Sequence, residues 1–150
     1  MLHRVCDTFA EEPGRFATLI VIVADPSAQL LTWVNAGHPA ARVIRVDGTI
    51  ERLDPTGPMV SWLLGSWTVQ EAPLGVGDVC VALTDGVLES RDEAGDELGD
   101  DGLDERLAVA VSLDPTPDAV IAHVLAGVRD RAVTLGRDDV TLVAMRLDKQ

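Results

Sequence analysis

The sequence predicts an α+β fold of antiparallel sheets with helices packed on them, and three observations carry the prediction. Val79-Cys80-Val81-Ala82-Leu83 is an unbroken apolar run of strand length, the pattern of a strand covered on both faces. The strand-like runs before it are joined to their sequence neighbours by short turns, which makes a meander and not a series of βαβ units. Helical periodicity is confined to residues 2–12 and to the stretch after residue 100. Helices and strands are therefore segregated along the chain.

In order, Leu2, Val5, Cys6 and Phe9 give a helical apolar stripe that Pro13-Gly14 ends. Ala17–Ala24 is apolar and β-branched, hence a strand; Asp25-Pro26-Ser27-Ala28 is a turn, and Leu30–Val34 returns as its hairpin partner. Asn35-Ala36-Gly37-His38-Pro39 is a tight loop. Ala41–Val46 and Ile50–Leu53 form a second hairpin, with Asp47-Gly48 as a two-residue turn. Residues 54–65 are punctuated by Pro55, Gly57, Pro58 and Gly65 and read as a loop. Trp67–Glu71 alternates like a half-buried strand, and the Gly75–Asp78 turn leads into the central strand at 79–84. Residues 89–105 are strongly acidic and read as a solvated loop. Leu103, Leu107, Ala110 and Val111 mark one helix. Thr116-Pro117-Asp118 starts another, which carries Val120, Val124, Val128, Ala132 and Leu135 and stops at Gly136. Val140–Leu147 is the last strand.

Length and charge bound the function. The chain has 150 residues, 47% of them hydrophobic, which suits a single domain over 1–150 with a proper core. Its net charge of −13 repels phosphate backbones and anionic lipid, so neither nucleic acid nor membrane is expected as a partner. No run has the length of a membrane span or the form of a signal peptide, and a cytoplasmic location is the default. Cys6 and Cys80 read as small core residues, not as a disulfide. His3, His38 and His123 are scattered, and no Cys or His cluster has zinc spacing.

The chemistry is concentrated where strands end. The central run stops at Asp85-Gly86, and Arg137-Asp138-Asp139 leads into the last strand. Taken alone, an Asp-Gly pair is an ordinary turn. Two strands that both deliver carboxylates at their ends are the raw material of a hard-cation site. The acidic segment 89–105 lacks the ligand order of a calcium loop: positions 92, 94 and 96 read Asp, Ala, Asp, without a correctly spaced Glu. Trp62 and Trp67 read as core or edge packing.

Three motifs occur in a fixed order: Asn35-Ala36-Gly37-His38-Pro39, Thr84-Asp85-Gly86-Val87-Leu88-Glu89-Ser90 and Asp138-Asp139-Val140-Thr141. As a set they resemble the metal-dependent Ser/Thr protein phosphatases of the SpoIIE/RsbU type, the bacterial stress and sporulation branch of the PPM class. Asp47–Leu53, Leu74–Asp78 and the Gly95, Leu98-Gly99 segment agree, and the resemblance runs from about Phe16 to Leu147. It implies an αββα sandwich of two antiparallel sheets flanked by helices, with two Mn²⁺ or Mg²⁺ ions in the intact domain. It implies that Asp85 is a metal ligand, with Asp138 the best match to the C-terminal ligand and Asp139 as the fallback. Gly86 and Glu89 stand in the surrounding shell; Glu89 either holds a metal-bound water or weaker third ion, or is simply a solvated acid. His38 either lines the cleft or, as the favoured reading has it, belongs to a structural turn. The implied substrate is a phosphoprotein of the anti-sigma-factor-antagonist type.

One departure matters. The family's first ligand lies in an Asp-x-x-Gly-His-Gly motif, and nothing in this chain matches it. The expectation is therefore the C-terminal portion of such a domain, N-terminally incomplete, with at most one weak cation site and little activity by itself. Unpaired sheet edges would then offer a route to a homodimer. The alternative function is a non-catalytic, phosphatase-like binding module in a partner-switching pathway.

Overall fold

The computed structural model describes residues 14–62, 65–131 and 139–149. The expected N-terminal helix, Cys6, His3, Ala132, Leu135, Gly136 and Asp138 lie outside them. The chain divides into two compact units, Met1–Pro39 with Leu53–Leu74, and Ala40–Arg52 with Gly75–Gln150.

The first unit is built on antiparallel pairing. Strand β1 (Phe16–Ala17) pairs with β6 (Val60–Ser61), and β2 (Leu19–Asp25), β3 (Leu30–Ala36) and β7 (Gln70–Pro73) form a sheet in the order β2-β3-β7. The β2–β3 register runs from Leu19↔Ala36 to Asp25↔Leu30. The Asp25 carboxylate closes that hairpin by accepting the backbone N–H groups of Ser27 at 2.9 Å and Ala28 at 3.0 Å, the Asx device that favours Asp at a turn. Leu31, Ala36 and Val60 are fully buried in this unit, and Trp67 packs against the Ala36–Val60 pair. Trp62 is exposed just beyond the end of β6.

The second unit is a four-stranded antiparallel sheet with helices on it. Strands β4 (Ala40–Ile44), β5 (Ile50–Arg52), β8 (Val79–Leu83) and β9 (Leu142–Arg146) lie in the order β5-β4-β8-β9. Helix α1 (Asp85–Leu88) follows β8 at once; α2 (Gly99–Leu113) and α3 (Pro117–Arg131) precede β9. Val79, Cys80, Val81 and Leu83 are all buried, as the unbroken apolar run requires of a central strand. Leu103 and Leu107 of α2 and Val120 and Val124 of α3 share one core cluster with Val81 and Leu83. At about 1.5–3 kcal/mol for each fully buried large aliphatic side chain, this cluster dominates the unit's stability.

Three local expectations need correction. The turn between β4 and β5, closed by Arg45 and Thr49, has three residues inside it, not two. Arg45 N–H donates to the Thr49 carbonyl at 2.8 Å and Gly48 carries φ of +86°, the turn-plus-bulge form in which only the last residue needs the left-handed region. Residues 99–105 are helical, because acids in a first turn suit the helix dipole and because two arginines bind them, as described below. Val60–Ser61 pairs as a short strand inside a segment whose glycines and prolines suggested only loop.

Candidate functional site

The site is assembled where β8 ends and β9 begins. Leu83 pairs with Leu142 as the last rung of the antiparallel ladder, so the exit of one strand and the entrance of the other share one end of the sheet. Asp85 is the first residue of α1 and Asp139 lies three residues before β9. Both side chains are exposed, and neither makes a hydrogen bond or ion pair among the described residues. Glu89 is also exposed, and its backbone N–H closes α1 onto the Asp85 carbonyl at 2.9 Å. Gly86 is buried inside that turn of helix, so its part is local packing and not an unusual backbone angle. Asp138 lies outside the described residues.

Thr84 joins the two segments, and sequence reasoning missed it. Its backbone N–H donates to the Thr141 carbonyl at 3.0 Å. Its hydroxyl donates to the Asp139 carbonyl at 2.8 Å and accepts the Thr141 N–H at 2.9 Å. The partners are 55 and 57 residues away, so no local pattern announces them.

The Asn35–Pro39 loop belongs to the first unit, and its organiser is Asn35. This side chain is fully buried. Its Oδ1 accepts the His38 N–H at 2.7 Å, and its Nδ2 donates to the carbonyls of His38 at 3.1 Å and Leu53 at 2.8 Å. Gly37 has φ of +72°, and a Cβ there would come within 2.5 Å of Met59 Cγ. These are the features of a structural turn, the favoured reading of the motif.

Several other acids are committed elsewhere. Arg42, buried on β4, bonds Asp104 at 2.8 Å and also pairs with Asp100; Arg52 bonds Asp104 at 2.6 Å and Asp101 at 3.1 Å. Asp78 is buried and accepts from Gly75 N–H at 2.8 Å, Val46 N–H at 3.1 Å and Arg45 at 2.9 Å. Among the described residues no three His, Cys, Asp or Glu side chains cluster tightly enough to hold a metal. Asp85 and Asp139 are thus a fitting but partial set of oxygen donors for a hard cation. Cys80 is buried, and burial pushes its thiol up to about 12, which makes it a core residue and not a nucleophile.

The architecture of strands and helices is that of a PPM-class (PP2C-type) phosphatase domain. A structure of the PP2C phosphatase domain with a fragment of the regulatory domain of SpoIIE from Bacillus subtilis superposes with a TM-score of 0.85 at 15% identity, covering 99% of this chain and 43% of that one. The SiaA-PP2C domain of Pseudomonas aeruginosa gives 0.82 at 19% identity, covering 98% and 59%. The RsbU and RsbW domains of a Mycobacterium tuberculosis protein give 0.77 at 24% identity, covering 98% and 41%. Residues 1–148 match the family described as Stage II sporulation protein E (SpoIIE), and the chain belongs to that family. Among curated proteins, Protein IcfG of Synechocystis is 31% identical over 143 residues, which are 93% of this chain and 22% of IcfG. The chain thus spans between a fifth and three fifths of these relatives. Among the described residues no helix is long and apolar enough to cross a membrane.

Proposed function

We propose that residues 1–150 are one metal-dependent phosphoserine/phosphothreonine phosphatase domain of a bacterial stress or sporulation signalling protein. The observation that supports this most directly is the joint position of Asp85 and Asp139, two exposed and uncommitted carboxylates held at one sheet end, in a chain of the SpoIIE family. Asp85 with Asp138 or Asp139 would hold Mn²⁺ or Mg²⁺, with Gly86 and Glu89 beside them. Two fold neighbours support the choice of ion: RsbX is in complex with magnesium and the catalytic domain of PstP with two manganese ions. A divalent ion there supplies Lewis-acid charge stabilisation for phosphoryl transfer to water. The chain's own contribution is to hold the acids as a pair, with Asp85 at the start of α1 and Asp139 at the threshold of β9.

The substrate in this reading is a phosphoprotein of the anti-sigma-factor-antagonist type in the cytoplasm. One pair of carboxylates gives at most one weak site, so this chain alone has little turnover. The test is phosphate release from a phosphoserine peptide with Mn²⁺, compared between this chain and a parent that carries an upstream Asp-x-x-Gly-His-Gly motif. A much faster parent is expected; equal rates overturn the two-metal reading. The shortage of a third acid among the described residues favours a second reading, a non-catalytic module that binds a partner switch protein. Calorimetry of that parent with Mn²⁺ separates them, since two tight sites support the enzyme and one weak site or none supports the module. Pairing of sheet edges into a homodimer belongs to the same proposal, and sedimentation as a strict monomer at high concentration overturns that part.

A further inference from the structure

We propose that Thr84 is a positioning residue that sets the Asp139 segment against Asp85, a proposal that rests on the metal-site reading above. The argument starts from a conflict in the backbone. The β8–β9 ladder would continue past Leu83↔Leu142 by pairing Thr84 with Thr141. Half of that rung forms, since Thr84 N–H donates to the Thr141 carbonyl at 3.0 Å. The other half is absent: the chain turns into α1 at this point and the Thr84 carbonyl accepts Val87 N–H at 3.2 Å. Thr141 N–H is left without its ladder acceptor, and at this exposed position the alternative partner would be water.

The Thr84 hydroxyl replaces it. It accepts Thr141 N–H at 2.9 Å and spends its own proton on the Asp139 carbonyl at 2.8 Å. One hydroxyl thereby lets β8 end in a helix that presents Asp85 while β9 keeps its entry in register. It grips the main chain at Asp139 itself, next to Asp138. Only a side chain that both donates and accepts at this reach does this. Valine has the same shape without the bonds, and serine keeps the bonds without the branch. Ligands delivered by two segments depend on such outer contacts for their separation.

The experiment titrates Mn²⁺ into the full chain and its Thr84→Val and Thr84→Ser variants, reading paramagnetic broadening of the Asp85 and Asp139 amides by NMR. Amide exchange at Thr141 and at Val81 in mid-β8 is followed alongside, without metal. The half-broadening concentration is expected to rise about tenfold in Thr84→Val and to stay within about twofold of the parent in Thr84→Ser. Thr141 exchange should accelerate in Thr84→Val alone, with Val81 protection kept in all three. An unchanged titration in Thr84→Val overturns the proposal, and so does a Thr84→Ser variant as weak as Thr84→Val. If Val81 protection collapses in Thr84→Val, the serine variant decides: parent-like binding supports the hydroxyl's role and weak binding refutes it. If the parent chain shows no broadening at Asp85 or Asp139, the metal reading itself fails and the proposal falls with it; normal parent binding with an indifferent Thr84→Val removes the positioning role alone.

Discussion

Two acidic regions of the second unit have opposite fates. In the first turns of α2, Asp100, Asp101 and Asp104 are bound by Arg42 and Arg52, and the charges serve to fasten a helix to β4 and β5. At the end of β8, Asp85 and Asp139 have no such cation among the described residues. The first region has more acids, and its carboxylates are already paired with cations. Acid density alone does not say which carboxylates are open to a cation. What counts is whether the carboxylates are already neutralised by the fold.

This contrast can be broken most forcefully at Arg42, whose side chain is only 3% exposed. Arg42→Ala should cost about 2 kcal/mol in urea unfolding, because it removes a buried side chain and its charge-assisted bonds to two partly exposed carboxylates, and should leave Mn²⁺ titration unchanged. A loss below 1 kcal/mol would show that the α2 acids are as uncommitted as Asp85. Asp78→Ala should follow at about 2 kcal/mol, since it orphans two backbone N–H groups and Arg45; a denaturant midpoint like the parent's would remove Asp78 from the committed class.

Smaller effects sharpen the comparison through pH. Backbone N–H donation from Thr49 holds the Asp47 carboxyl below its ordinary value, and Thr116 does the same for Asp114. A carboxyl lowered on folding stabilises above its unfolded value, about 3.9, and that contribution disappears as pH falls through the folded value. The double variant Asp47→Asn with Asp114→Asn should therefore flatten the stability profile below about pH 4 and change nothing at pH 7 beyond the lost turn bonds. An unaltered acid limb in thermal melts refutes it. Smallest of all should be the stability changes of Asp85→Asn and Asp139→Asn, within about 0.5 kcal/mol, though both should weaken Mn²⁺ binding. A clear destabilisation by either would mean that its carboxylate already has a structural partner.

The same division explains what could be read from the sequence. The 79–83 strand was legible because a five-residue apolar run has few alternatives, and the Asp25 turn and the place, though not the length, of the Asp47-Gly48 turn because their residues act on their own neighbourhood. Asp85 was legible as the point where apolar pattern meets charge. Helix α1 was hidden by an Asp-Gly pair that normally means a turn. The start of α2 was hidden because glycine and acids weaken its pattern and its arginine partners sit some 50–60 residues upstream. Thr84 was hidden for the same reason: it satisfies a backbone more than 50 residues away, and nothing about a single polar residue reveals that.

Gly37 carries a consequence beyond the loop it shapes. Its φ of +72° and the 2.5 Å gap to Met59 Cγ penalise every side chain twice, once through the backbone and once through the neighbour. Even Met59→Ala would relieve only the second penalty. A saturation library at position 37 selected for folded protein should therefore return glycine almost alone, while alanine fares no better than bulkier residues where Met59 is retained.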